Sequence, residues 1–137
     1  MSHKYSLEKS DAFILEGIII ENIIKEGALI EVADVLSIKE LNLKLCGNKP
    51  YALLVDAQVD STISDDARTM VASAEIAHLT IAKAVILSTQ KQKILANLYL
   101  AVNKPHINTR MFTDRSKALK WLRIQISNFE LNELLEQ

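Results

Sequence analysis

A cluster of hydroxyl and carboxylate side chains follows the apolar run Tyr51–Ala57. Side chains of these types can accept a phosphate, perform acid–base chemistry, bind a divalent cation or cap a helix. This cluster, the hydroxyl–acid loop, consists of Asp60, Ser61, Thr62, Ser64, Asp65 and Asp66. Each chemical role has to be weighed against the simplest one, which is the start of a helix.

The helix start has direct physical support. Ser64 carries the kind of side chain that helix N-caps prefer, because its hydroxyl oxygen can accept a bond from an unpaired backbone N–H. Asp65 and Asp66 would lie in the first turn, where the helix dipole favours negative charge by about 0.3–1 kcal/mol each. We therefore predict that a helix begins at Ser64. The two aspartates would also repel a phosphate placed on that serine.

Catalysis or metal binding by these carboxylates and by Asp56 has weak support, because no His or Cys lies near them in the sequence and no Gly-rich phosphate loop is present. His78 and His106 have no ligand partner at metal-binding spacing. Cys46, at a helix end, is most simply a structural thiol. We predict no catalytic residue, no metal, no cofactor and no enzymatic activity.

Basic residues are concentrated in the second half of the chain. Residues 83–123 carry nine Lys and Arg against one acid, whereas residues 1–82 carry seven against thirteen. The predicted basic face comprises Lys91, Lys93, Lys104, Arg110, Arg115 and Lys117, with Lys120 and Arg123 beside them. Such a face suits an acidic protein or a phosphate, but poor aromatic interleaving argues against nucleic acid. Alternatively, folding interleaves the segments and the charges largely cancel.

These residues are positioned by strands and helices in the order β-β-α-β-α-β-α-β-α. The stretch "SDAFILEGIIIENII" predicts two strands that meet near Glu16–Gly17, and "YALLVDA", "IAKAVILS" and "INTRMFT" predict the other three. Alternation of buried strands with helices predicts an α/β fold with a mixed, mostly parallel sheet of about five strands.

Four helices are expected between and after these strands. The first carries Val32, Val35, Leu36, Lys39 and Leu43, with Lys39 on the flank of the apolar stripe, and ends before Gly47. The second begins near Ser64 and carries Ala67, Met70, Val71 and Ala74. The third has an apolar stripe of Ile94, Leu95, Leu98, Tyr99 and Val102. The last is capped by Asp114.

Length and composition favour one domain over residues 1–137, with a C-terminal helical extension from about residue 123. The apolar spacing of that extension predicts a homodimer. The apolar run near the start is too short and too interrupted to span a membrane. A single Cys excludes an internal disulfide and fits the reducing cytoplasm, which is where we expect the protein.

Three stretches, "KPYALLVDA", "ISDDARTMVASAEIA" and "NKPHINTRMFTDRSKALKWL", together with the element order, resemble STAS-like domains, the fold of bacterial anti-sigma factor antagonists. In that family a Ser at the start of the corresponding helix is phosphorylated by a partner kinase. The resemblance places Ser64 and Asp65 at the family's Asp-Ser pair, so a carboxylate occupies the phosphorylation position. In a shifted register, Ser61, Thr62 or Ser64 would take that role.

The resemblance implies a non-enzymatic interaction module for an unknown regulatory protein in bacterial signalling, without the standard phosphoserine switch. The alternative is a small apolar-ligand or lipid-binding domain, since related architectures enclose apolar ligands between sheet and helices.

Overall fold

The computed structural model describes residues 3–136, which form eight strands and five helices. The strands are β1 (Tyr5–Ser6), β2 (Ser10–Glu16), β3 (Ile19–Ile24), β4 (Leu29–Ile30), β5 (Tyr51–Ala57), β6 (Thr62–Ile63), β7 (Thr80–Leu87) and β8 (Thr109–Phe112). The helices are α1 (Val32–Leu45), α2 (Asp65–Val71), α3 (Ala74–Ala77), α4 (Gln90–Val102) and α5 (Arg115–Leu135). The two ends of the predicted domain, residues 1–2 and 137, lie outside the described residues.

Six of the strands form one sheet in the order β1-β2-β3-β5-β7-β8. The pairs β1–β2 and β2–β3 are antiparallel, and the other three pairs are parallel. Strands β4 and β6 form a separate parallel pair. The predicted mixed, mostly parallel α/β fold is therefore confirmed. The sheet gains β1 beyond the five predicted strands, because a two-residue strand carries no readable periodicity.

Local signals set the element ends as the sequence predicts. Strands β2 and β3 turn at Gly17, whose φ of 51° lies in the left-handed region that glycine tolerates. The Ser64 hydroxyl accepts a hydrogen bond from the backbone N–H of Ala67 at 3.2 Å, which caps α2. The Asp114 carboxylate caps α5 through the backbone N–H of Ser116 at 2.8 Å.

One face of the six-stranded sheet, the closed face, is covered by α5. Its buried core consists of Ile19, Ala52, Leu54, Ala82, Ala84 and Ile86 from the sheet and Ala118 and Leu122 from the helix. The alanines let the helix lie close to the strands, so the larger side chains fill the remaining space. Trp121 packs against this core, and its ring centroid lies 5.8 Å from that of Phe112.

Two helices differ from the sequence prediction. The predicted second helix breaks after Val71, because the Ser73 hydroxyl caps a new short helix, α3, by accepting a bond from the Ile76 N–H. Helix α4 exposes much of its predicted apolar stripe: Ile94, Leu98 and Val102 are 60%, 50% and 66% exposed. Periodicity identifies an apolar stripe without showing which part of it is covered.

Helix α5 is continuous over 21 residues, so the predicted C-terminal extension belongs to the same helix that covers the sheet. Its first half supplies Ala118 and Leu122 to the closed face. Its last turns expose Leu131, Leu134 and Leu135. The second half therefore projects apolar side chains that no part of residues 3–136 covers.

Candidate functional site: a cleft with two buried lysines

A cleft of about 250 Å³ lies on the cleft face, the sheet face opposite α5. Helices α1, α2 and α4 form its other walls. Strand alternation turns Leu53, Val55 and Ala57 of β5 and Lys83, Val85 and Leu87 of β7 into this space. The lining is mainly apolar, and its few polar groups fall into two classes, those with partners and those without.

Lys39 of α1 is a buried lysine with all three of its N–H donors used. Its Nζ donates to the Tyr51 hydroxyl at 2.9 Å, to the His78 backbone carbonyl at 2.5 Å and to the Thr80 hydroxyl at 3.0 Å. The sequence placed this residue on the flank of the apolar stripe, whereas the structure buries it. Burial lowers the pKa of Lys39 to about 8.

Lys83, in the middle of β7, is 7% exposed and has no such partners. Within residues 3–136, its Nζ makes no hydrogen bond and no ion pair, and it lies 5.7 Å from the centroid of the Tyr99 ring. This distance permits a cation–π contact. Burial and, to a smaller extent, the positive charge of Lys39 together lower the pKa of Lys83 to about 8.

Tyr99 of α4 faces the same space and is 7% exposed. Its hydroxyl is buried and has no hydrogen-bond partner among the described residues. Burial raises the pKa of Tyr99 to about 12, so the hydroxyl keeps its proton and can donate it in a hydrogen bond at neutral pH. Lys83 and Tyr99 thus present two unused donors to one cleft.

Other polar groups of the lining are satisfied by one another. The side-chain amides of Asn22 and Asn42 exchange two hydrogen bonds at 2.9 and 2.8 Å. The Gln92 amide donates to the Gln58 carbonyl at 2.9 Å and accepts from the backbone N–H of Ser88 at 2.8 Å. These pairs are what buried polar groups require. Compared with these satisfied groups, the Lys83 ammonium and the Tyr99 hydroxyl stand out because they lack hydrogen-bond partners within residues 3–136.

The charge of the cleft is positive. Its lining contains three cationic side chains, Lys39, Arg68 and Lys83. Within residues 3–136, no Asp or Glu lines the cleft. Arg68 forms an ion pair with Asp65, which belongs to the same helix but does not line the cleft. The positive charges of the two lysines therefore repel each other, and no carboxylate of the lining compensates them.

A family model described as a domain of unknown function, DUF7793, matches residues 13–125. The chain belongs to this family. The match spans every strand and helix that lines the cleft. No curated protein matches the DUF7793 chain.

A solved structure shows the fold. It is an uncharacterised protein of the DUF3478 family, described as having a SpoIIAA-like fold, from Shewanella loihica PV-4. The TM-score is 0.52 at 13% sequence identity, and the match covers 89% of the DUF7793 chain and 92% of the other. This similarity confirms the predicted STAS-like fold. Within residues 3–136, no helix combines the length and apolar character needed to cross a membrane.

The hydroxyl–acid loop of the DUF7793 chain contributes to one wall of the cleft through Ser61 and Thr62. Ser61 is 7% exposed, and its hydroxyl donates to the Gln58 carbonyl at 2.7 Å, which argues against phosphorylation of this residue. Thr62 is exposed, and Ser64 is the N-cap of α2. Asp60, Asp65 and Asp66 are exposed to solvent. The loop as a contact surface for a regulatory partner stays a prediction.

The acidic residues do not form a shared site. Asp56 lies on the closed face near Glu21 and Arg115, and burial raises its pKa. Asp65 instead pairs with Arg68 on α2. Nowhere in the described part of the chain do three or more His, Cys, Asp or Glu side chains gather in a way that could hold a metal ion.

The predicted basic residues have different environments. The Arg115 guanidinium donates two hydrogen bonds to the buried Glu21 carboxylate, one of them 3.0 Å long. This contact raises the pKa of Arg115. The Arg110 guanidinium lies 5.5 Å from the Phe112 ring centroid. Lys93 and Lys117 line a second pocket beside β8, of about 340 Å³. Lys91, Lys104, Lys120 and Arg123 are exposed, and Arg123 pairs with Glu16 at 2.6 Å.

Lys83 was not among the predicted site residues, although the sequence contains a signal for it. It is the one charged residue in the strand "TIAKAVIL". A central parallel strand is covered on both faces, so a lysine there is buried whichever way it points. A buried, unpaired lysine is a candidate functional group. The proximity of Lys83 to Tyr99 depends on tertiary structure, and no sequence pattern indicates it.

Proposed function

We propose that this domain is a non-enzymatic binding module whose cleft holds a small, mainly apolar ligand. The observation that carries the proposal is the cleft itself: about 250 Å³ of space between sheet and helices, bounded by side chains such as Val55, Val85 and Leu95. Protein interiors are packed closely and contain few voids larger than a water molecule. A mainly apolar space of this size is therefore the first candidate for a ligand site.

The volume limits the ligand to a small molecule. An apolar cavity of about 150 Å³ binds benzene, and drug-sized ligands occupy pockets of about 300–1,000 Å³. The cleft lies between these sizes. Since a water molecule takes about 30 Å³ of liquid, the ligand has room for about eight to ten non-hydrogen atoms.

The test is a titration of methyl-labelled protein with 1-octanol, followed by NMR. We expect saturable shifts of methyl groups that line the cleft, those of Val85 and Leu95 among them. In Ala96→Phe, a ring enters the cleft from α4 and the shifts should be lost. Ala101→Phe is the matched control, because Ala101 is exposed on the same helix and outside the cleft.

Absence of saturable shifts in the wild-type protein would refute the proposal, and so would equal binding by Ala96→Phe and Ala101→Phe. Circular dichroism shows whether both variants are folded. If Ala96→Phe does not fold, the wild-type titration still decides.

The interaction module is a second candidate, favoured by one observation. Ile94, Leu98 and Val102 recur every four residues on α4, so they form one exposed apolar ridge. Ridges of this kind occur at protein–protein contacts. A regulatory partner and the cytoplasmic location stay predictions. The homodimer also stays a prediction, which light scattering tests: a monomer at high concentration would contradict it.

A further inference from the structure

Two buried lysines of the same cleft have opposite hydrogen-bonding states. Lys39 donates to three acceptors, so its burial is explained by the protein alone. Lys83 is as deeply buried, yet within residues 3–136 it has neither an acceptor nor a counter-charge. A charge without a partner is costly in a mainly apolar space. The Lys83 Nζ is not fully enclosed and borders the open cleft, so an acceptor from outside the chain can reach it. The partner of Lys83 is therefore expected from outside the chain.

The Tyr99 hydroxyl is unpaired beside the same lysine. The Lys83 Nζ lies 5.7 Å from the centroid of the Tyr99 ring, and the hydroxyl is buried without a hydrogen-bond partner in the described chain. An ammonium and a phenol are both donors. A group that satisfies both must accept two hydrogen bonds and carry negative charge.

We propose that the ligand of this cleft is an aliphatic monocarboxylate, whose two oxygens accept hydrogen bonds from Lys83 and Tyr99. The proposal rests on the proposed function above and adds the chemistry of the ligand's polar end. The chain of the ligand would lie among Val85, Leu87 and Leu95, which line the same space.

The shape and charge of the cleft favour a carboxylate over a phosphate. A phosphate carries up to two charges and more acceptor oxygens, which normally call for backbone donors or an arginine fork. Arg68, the arginine of the lining, is already bound by Asp65. Two unused donors in a mainly apolar cleft match the two oxygens and single charge of a carboxylate.

Binding should weaken in alkaline solution. The pKa of Lys83 is about 8, so its ammonium is lost as the pH rises beyond that value. The other ionisable groups that face the cleft are Lys39 from α1, Tyr51 from β5, Arg68 from α2 and Tyr99 from α4. The pKa of Lys39 is also about 8, so a Lys83 variant is needed to separate the two lysines.

The test compares octanoate with 1-octanol by calorimetry at pH 7. Both have the same chain length, and octanoate has about ten non-hydrogen atoms, which fits the estimated space. We expect the wild-type protein to bind octanoate about tenfold or more tightly than octanol, because hydrogen bonds to a charged group are the stronger ones. Lys83→Met should lose the preference for octanoate, because the carboxylate would then enter a mainly apolar space without this cation. Lys91→Met, which removes an exposed charge from α4, should retain the wild-type preference.

The outcomes separate the two proposals. Equal affinity of the wild-type protein for octanoate and octanol would overturn the carboxylate inference while leaving an apolar-ligand site in place. Binding of neither ligand would overturn both. A preference for octanoate that survives in Lys83→Met would remove Lys83 from the site.

Tyr99→Phe provides a second variant that keeps the ring and removes the hydroxyl. It should lose several-fold in octanoate affinity and retain octanol affinity, and an unchanged octanoate affinity would exclude the hydroxyl from the site. If Lys83→Met does not fold, titrations of Lys39→Met with octanoate and octanol at pH 7 and pH 10 decide, because Lys83 is then the one lysine among the described residues that lines the cleft. An octanoate-to-octanol preference that is unchanged at pH 10 would contradict the proposal.

Discussion

The two faces of the central sheet are built from the same strands and differ in packing. On the closed face, α5 lies on Ala52, Ala82 and Ala84, and Leu54 and Leu122 are fully buried between them. On the cleft face, the alternate residues of the same strands line an open space of about 250 Å³. Strand alternation therefore lets one sequence encode a close-packed core and a ligand-sized space back to back.

The two faces also treat buried charge differently. On the closed face, the Glu21 carboxylate is paired with Arg115 from α5. On the cleft face, Lys83 has no counter-charge within the described chain. Under the proposed function, the closed face provides stability and the cleft face gives up some stability for binding.

The largest difference is expected from matched leucine truncations. Leu122→Ala should lower the free energy of unfolding by about 3 kcal/mol or more, because it opens a cavity in the closed core. Leu95→Ala should cost less than about 1.5 kcal/mol, because the removed atoms already face open space. Urea unfolding at pH 7 measures both, and equal losses would show that the two faces are equally well packed.

Removing one partner of the closed-face ion pair should have the next largest effect. Arg115→Met leaves the Glu21 carboxylate buried without its cation and should destabilise the protein by about 2 kcal/mol, since half of the arginine is exposed and water can partly replace it. Arg110→Met is the control from the same basic segment, because within residues 3–136 this guanidinium makes no ion pair. Equal unfolding curves for Arg115→Met and wild type would contradict the assigned role.

Removing the unpaired charge of the cleft face should stabilise the protein, whereas the substitutions above destabilise it. Lys83→Met should raise the free energy of unfolding by about 1–3 kcal/mol at pH 7, where the folded protein must hold a buried ammonium. The pKa of Lys83 is about 8 when folded and 10.5 as an ordinary lysine, so wild-type stability recovers as the pH rises between these values.

The gain from Lys83→Met should therefore shrink between pH 7 and pH 10. Lys39→Met is the comparison variant, and it should destabilise the protein at pH 7 because it leaves the Tyr51 and Thr80 hydroxyls without their partner. Urea unfolding of both variants at the two pH values tests this. A stability loss in Lys83→Met would show that the lysine has an acceptor within the protein.

Local sequence signals predicted much of the fold and little of the site. The strands around Gly17 and the helix starts at Ser64 and Asp114 were predicted because turns and caps depend on neighbouring residues. The meeting of Lys83 with Tyr99 depends on how α4 packs on β7, which periodicity does not encode. For the same reason, the apolar stripe of α4 was identified but not its exposed part.

The most direct test of the account is a crystal structure of the protein with 6-bromohexanoate, located by the anomalous signal of bromine. The account predicts bromine within the cleft and carboxylate oxygens at hydrogen-bond distance, about 2.7–3.0 Å, from the Lys83 Nζ and the Tyr99 hydroxyl. A cleft that stays free of the ligand at saturating concentration, or a carboxylate bound away from Lys83, would contradict it.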